Sequence, residues 1–183
     1  MDNFKASSLI ALVTFIIAII VTSISQSRVH GMSLIPATIV LLVIIFTGVF
    51  SDMIGVAATV AKEEPFNAKA AKKVFGSKEG LYIAKRGERV ASVMCDIVGD
   101  ICGTISGAIG AVIVIRIVNN FSFPQTPINL TLIGFISALT VGGKAYCKRF
   151  AMKKSEEIIF FVGKILAFFK LAKSTFMEKI RGV

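Results

Sequence analysis

Two aspartates four residues apart, Asp96 and Asp100, stand inside an otherwise almost wholly apolar stretch, VASVMCDIVGDICGTISGAIGAVIVIRIV from Val90 to Val118. At about 1.5 Å of rise per residue this stretch is long enough to cross a bilayer. A carboxylate at membrane depth costs roughly 2.5–3.5 kcal/mol on insertion scales, so an acid placed there points to a function. Spacing of i, i+4 puts both on one helix face. Two like charges held that close want a cation between them or a shared proton.

A third carboxylate, Asp52, lies midway through IIFTGVFSDMIGVAATVA, beside Ser51 and near Thr47. Thr104 continues the face of Asp96 and Asp100, and Ser106 lies off it. Carboxylates, hydroxyls and helix carbonyls form an oxygen-only donor set, which suits hard cations rather than soft metals. Mg2+ dehydrates reluctantly and is typically held by one or two carboxylates while keeping several waters. A wet cavity at mid-membrane holding Asp52, Asp96 and Asp100 would suit it, and a proton relay would use the same residues. Gly99, Gly103 and Gly107 recur at every fourth position, with Gly110 beyond. Such a series lets another helix approach closely beside the acids.

Enzyme chemistry finds no footing, and none is expected. The one histidine, His30, falls in a loop next to Gly31. Cys95, Cys102 and Cys147 match no zinc spacing, and cysteine in an apolar helix usually acts as a small hydrophobe. There is no nucleophile elbow, P-loop or histidine-metal motif. Asn120-Phe121-Ser122 and Asn129-Leu130-Thr131 match the glycosylation pattern, which is common by chance and here lies close to a membrane edge.

The elements that must hold these residues are read from bulk patterning. The chain has 183 residues, 55% of them hydrophobic, a mean hydropathy of +0.79 and a formal charge of +10. Its charged fraction, 17%, is below the ~25% of soluble domains. The expected fold class is an all-α integral membrane protein with about four spanning helices, short juxtamembrane helices and a C-terminal amphipathic helix. Apolar stretches at about 8–24, 37–61, 90–118 and 128–146 approach or exceed the ~20 residues a hydrocarbon core requires. The first, behind Lys5, has the make-up of a signal-peptide core, but no small-x-small site follows it. Residues 1–30 are therefore expected to form an additional N-terminal transmembrane helix.

Basic residues orient the spans. Lys62, Lys69, Lys72, Lys73, Lys78, Lys85, Arg86 and Arg89 lie between the second and third, and the C-terminal part carries ten more from Lys144 to Arg181. Asn119–Pro127 has no charge, and the loop from Ser25 to Pro36 has only Arg28 and His30. Four crossings with both termini in the cytoplasm satisfy this, in a multi-pass protein of the cell (inner) membrane. Loops of this kind account for nearly every Lys and Arg, so the charge points to anionic lipid headgroups rather than to nucleic acid. Lys72, Lys73, Lys148 and Arg149 are candidate lipid contacts.

Pro65–Gly76 has a proline start and a glycine stop, and Ser77 can cap a second short helix; both would lie along the membrane surface. The basic tail, 150–183, mixes Phe160, Phe161, Phe168, Phe169 and Phe176 with Lys164, Lys170 and Lys173. An interfacial helix, or one packed against the bundle, fits it better than a fifth span.

In this order of parts the chain resembles the membrane domain of the CorB and cyclin-M (CNNM) magnesium transporters, the module also called domain of unknown function 21. The resemblance covers about residues 37–169. Phe50-Ser51-Asp52-Met53-Ile54 stands where the family has a Phe-Ser-Gly-Ser-Glu-like turn. Cys95-Asp96-Ile97-Val98-Gly99-Asp100 has the spacing of the family's Gly-Asn-x-x-x-Asn, with both asparagines replaced by aspartate. Gly142-Gly143-Lys144-Ala145-Tyr146-Cys147 stands for Gly-Glu-x-x-Pro-Lys, without that glutamate or proline. The resemblance implies a homodimer whose polar cavity holds the cation, with Ser51, Asp96 and Asp100 as ligands and Asp52 nearby. The family's cytoplasmic nucleotide-sensing domains have no counterpart in this sequence.

Together these readings predict a homodimer that binds and transports a divalent cation, Mg2+, by alternating access around an aspartate-lined cavity. The alternative is a structural or regulatory membrane subunit whose basic cytoplasmic helices dock a partner or anionic lipid. A proton- or sodium-coupled carrier of an organic solute would share the site but need a larger pocket.

Overall fold

The computed structural model describes the backbone of residues 2–121 and 124–181, and their side chains except at 2–7, 9, 10, 26, 30 and 174–181. Expectations that involve Lys5, His30, Ser122, Phe176, Lys179 and Arg181 lie outside the described side chains. Helices follow one another as α1 (Asp2–His30), α2 (Leu34–Val60), α3 (Glu64–Ala71), α4 (Ser77–Ala84) and α5 (Gly87–Ala91). A π-helical segment, Ser92–Gly99, then leads without a break into α6 (Asp100–Phe121), followed by α7 (Gln125–Lys153) and α8 (Ser155–Arg181).

Among the described residues four helical stretches are long and apolar enough to cross a membrane: Ala11–Val29, Leu34–Val60, Gly87–Phe121 and Gln125–Lys153. The chain is an all-α, multi-pass membrane protein. α7 outruns its apolar stretch, because hydropathy marks where a helix meets lipid, whereas Lys and Arg are good helix formers that carry it further. Pro36 and Pro127 fall in the first turns of α2 and α7, where the missing N–H has no partner to lose.

Two compact units divide the chain, Met1–Ser51 with Asp96–Ala145, and Asp52–Cys95 with Tyr146–Val183. In the first, α6 is the central helix. Ile101, Ile105, Ser106, Ile109, Gly110, Val112, Ile113 and Val114 are buried along it. α1 packs along one side. On α2, a β-carbon at Gly48 would stand 2.9 Å from that of Cys102, and one at Gly110 would stand 2.6 Å from Ile136 Cδ1 of α7. Ser106, fully enclosed, donates to the Cys102 carbonyl at 2.7 Å, so its hydroxyl is satisfied within its own helix.

The second unit has its own core of Ala57, Ala58, Phe66, Ile83, Ala151 and Ile159. Gly87 sits against the Ala58 backbone, and Gly55 against Cys95, Ala91 and Met94. α8 lies on α4 through the column Ser155, Ile159, Gly163 and Ala167, all buried. A β-carbon at Gly163 would stand 2.7 Å from the Gly80 amide nitrogen, so only glycine permits this approach.

Two details differ from expectation. The helix that starts near Pro65 stops at Ala71; Lys73 turns left-handed at φ 54°, and Gly76, at φ 82°, opens α4 rather than closing α3. Ser77 is the first residue of α4 and not its cap: its hydroxyl donates backwards to the Val74 carbonyl at 2.5 Å.

Candidate cation site

Asp96 opens the second half of the π-helical segment and Asp100 opens α6. A π-helix, with its i→i+5 bonds, takes more than four residues per turn and an α-helix fewer, so residues four apart stay on one face across the junction. Both aspartates are exposed, and the exposed line continues through Gly103, Thr104, Gly107, Ala111 and Ile115. A β-carbon added at Gly103 or Gly107 would meet nothing within 4 Å. Within one chain, then, these two glycines do not pack against a helix. Gly99 and Gly110 are buried instead. The acids and the open glycines share the one side of α6 that its neighbours leave uncovered.

Arg116, further along the same helix, ties it to α1. Its guanidinium donates to the Val29 carbonyl at 2.9 Å. That carbonyl belongs to the last turn of α1, where carbonyls lack intrahelical partners and the helix dipole favours a cation. Sixteen residues of α-helix, about 24 Å, separate Arg116 from Asp100, which rules out an ion pair between them. The candidate span Gly87–Phe121 has 35 residues, and Asp96 and Asp100 lie in its first half.

The other expected ligands are placed differently. Ser51 is buried, 5% exposed, while the two aspartates face outward. Asp52 is half-buried and belongs to the other unit, where its backbone carbonyl accepts the Cys95 thiol at 3.6 Å. Among the described residues no three of His, Cys, Asp and Glu gather as a group that could hold a metal. The site on α6 is a pair of carboxylates. Thr104 adds no free hydroxyl hydrogen, since it donates to the Asp100 carbonyl at 3.0 Å.

The candidate lipid contacts are all exposed: Lys72 directly after α3, Lys73 in its left-handed turn, Lys148 and Arg149 near the end of α7. Other basic side chains rest on aromatic rings. Lys69 and Lys164 lie 4.3 and 4.6 Å from the centre of Phe160, and Arg86 lies 4.0 Å from that of Tyr82.

Comparison with family models, curated proteins and solved structures finds no match for this chain. Its chemistry rests on its own residues. Two adjacent carboxylates on a helix long and apolar enough to span offer a hard, negatively charged, oxygen-only site with room for the ion to keep water.

Proposed function

We propose that this chain is a homodimeric inner-membrane protein that binds and moves a divalent cation, Mg2+, at Asp96 and Asp100. The observation that carries the reading is their shared, uncovered face on a spanning helix. Carboxylates cannot be left against lipid tails, so they need a cation, water and a protein cover. Two carboxylates with several waters is the usual way Mg2+ is held, whereas Ca2+ takes six to eight oxygens. A second copy laid along Gly103 and Gly107 would bring helices close at that point, as small residues four apart do in membranes. Ser51 and Asp52 are assigned supporting roles, following the resemblance to the CorB and cyclin-M module. The distribution of Lys and Arg supports cytoplasmic termini.

Mg2+ flux into proteoliposomes tests this reading. Uptake should be lost in Asp96→Ala plus Asp100→Ala; uptake that survives both would sink it. A structural or regulatory subunit remains the second reading, favoured by the lack of a third acidic ligand beside the pair among the described residues. It gains if neither Mg2+ nor Ca2+ shifts the melting of the wild type.

A further inference from the structure

α8 has two apolar faces, and α4 covers one of them. The covered column is Ser155, Ile159, Gly163 and Ala167. Around the helix from it, Phe161, Ile165, Phe168 and Ala172 recur at i, i+4, i+7 and i+11, all exposed. Phe161 and Phe168 are each 64% exposed, and Phe169, at the edge of the stripe, 65%. This spacing keeps the stripe on one side for three turns.

We infer that this stripe is seated in the anionic leaflet of the membrane the chain itself crosses. Chain continuity is the first argument. Only Lys154 separates α8 from α7, one of the four candidate spans, so α8 starts where a spanning helix leaves the bilayer. Charge is the second. Lys148, Arg149 and Lys153 are exposed at that junction, where Lys154 pairs with Glu157 at 2.9 Å, and Lys164 lies beside the stripe. Such a collar matches anionic headgroups, each cation contributing attraction close to the surface. Two copies meeting through this face would bring their collars together and repel. A helix of this kind lies in the interface plane with its apolar side sunk ~5–10 Å. Because Gly163 locks α8 to α4, the leaflet would hold α4 as well. The inference is independent of the cation reading, since it uses neither aspartate.

The chain contains no tryptophan, so Phe168→Trp in the full-length protein is a sole indole reporter. The variant is reconstituted in phosphatidylglycerol vesicles and quenched either by brominated acyl chains or by aqueous iodide. Bromolipid quenching should exceed iodide quenching about two-fold or more, and should fall when phosphatidylcholine replaces phosphatidylglycerol. Strong iodide quenching would place the stripe in water and overturn the inference. A blue-shifted emission that neither agent quenches would place it against protein, and overturns it too. Quenching indifferent to headgroup charge would refute the anionic leaflet. Phe161→Trp, on the same stripe, repeats the measurement should Phe168→Trp fail to fold.

Discussion

Gly48 lies against Cys102 so closely that a β-carbon on the glycine would come within 2.9 Å of the cysteine's own. Seven residues along α2, Gly55 meets Cys95, seven residues back along the third span. The first pair belongs to one compact unit and the second to the other, and in each the cysteine side chain fills what the glycine leaves open. Lipid tails are as apolar as leucine, so close packing of small residues, not a hydrophobic drive, holds such helices together.

Gly48→Ala should therefore lower the melting temperature in detergent, by an overpacking cost of about 1–3 kcal/mol. Adding Cys102→Gly should recover part of that loss, because it returns the missing space to the other helix. A double-mutant cycle on thermal melts measures the coupling. Losses that simply add would show that the pair does not share one contact.

Arg116 ties α6 to the end of α1 through the Val29 carbonyl. Arg116→Leu removes this charge-assisted hydrogen bond, at about 1.5–3 kcal/mol, while the Met32 N–H still donates to the same carbonyl at 3.1 Å. Arg116→Lys keeps a cation near the same helix end and should cost less. The expected order of melting temperatures is wild type, then Lys, then Leu.

Gly163 is the tightest point between α8 and α4. Gly163→Val should force the helices apart and expose the core around Phe66 and Ile159. Limited proteolysis should cut α8 faster in this variant than in the wild type, and Gly163→Ala should fall between the two. A protease pattern unchanged by valine would contradict the close approach.

The spans were legible because lipid demands length and apolarity, and both are written residue by residue. Their ends were not. Lys148, Arg149 and Lys153 end the apolar stretch but continue the helix, so α7 runs past Tyr146 to Lys153. The π-helical segment is a register of backbone hydrogen bonds, which residue types such as Ser92 or Val93 do not announce. At Gly76 a glycine looked like a helix stop, yet a left-handed residue serves as well before a helix as after one. In the candidate site, the aspartates and their shared face could be read from spacing alone. Which side of α6 its neighbours would cover could not, because that depends on contacts such as Gly48 with Cys102. One signal was available: glycines seven apart on one span and cysteines seven apart on the next.

Mg2+ should stabilise the wild type by RT ln(1 + [L]/Kd), about 2.7 kcal/mol at a hundred times Kd, and so raise its melting temperature. Asp100→Ala should abolish that shift, since it removes one of only two carboxylates. Asp100→Asn keeps an oxygen donor and should retain a weakened response. The two conditions then pull in opposite directions. In EDTA the asparagine variant should be more stable than the wild type, because like charges at i, i+4 repel by about 0.2–0.5 kcal/mol and a charge on a spanning helix is removed as well. With saturating Mg2+ the order should reverse. Melting in EDTA and across a Mg2+ titration reads both signs, and a wild type more stable than Asp100→Asn in EDTA would mean that the carboxylates are held by contacts within the protein and not by a cation.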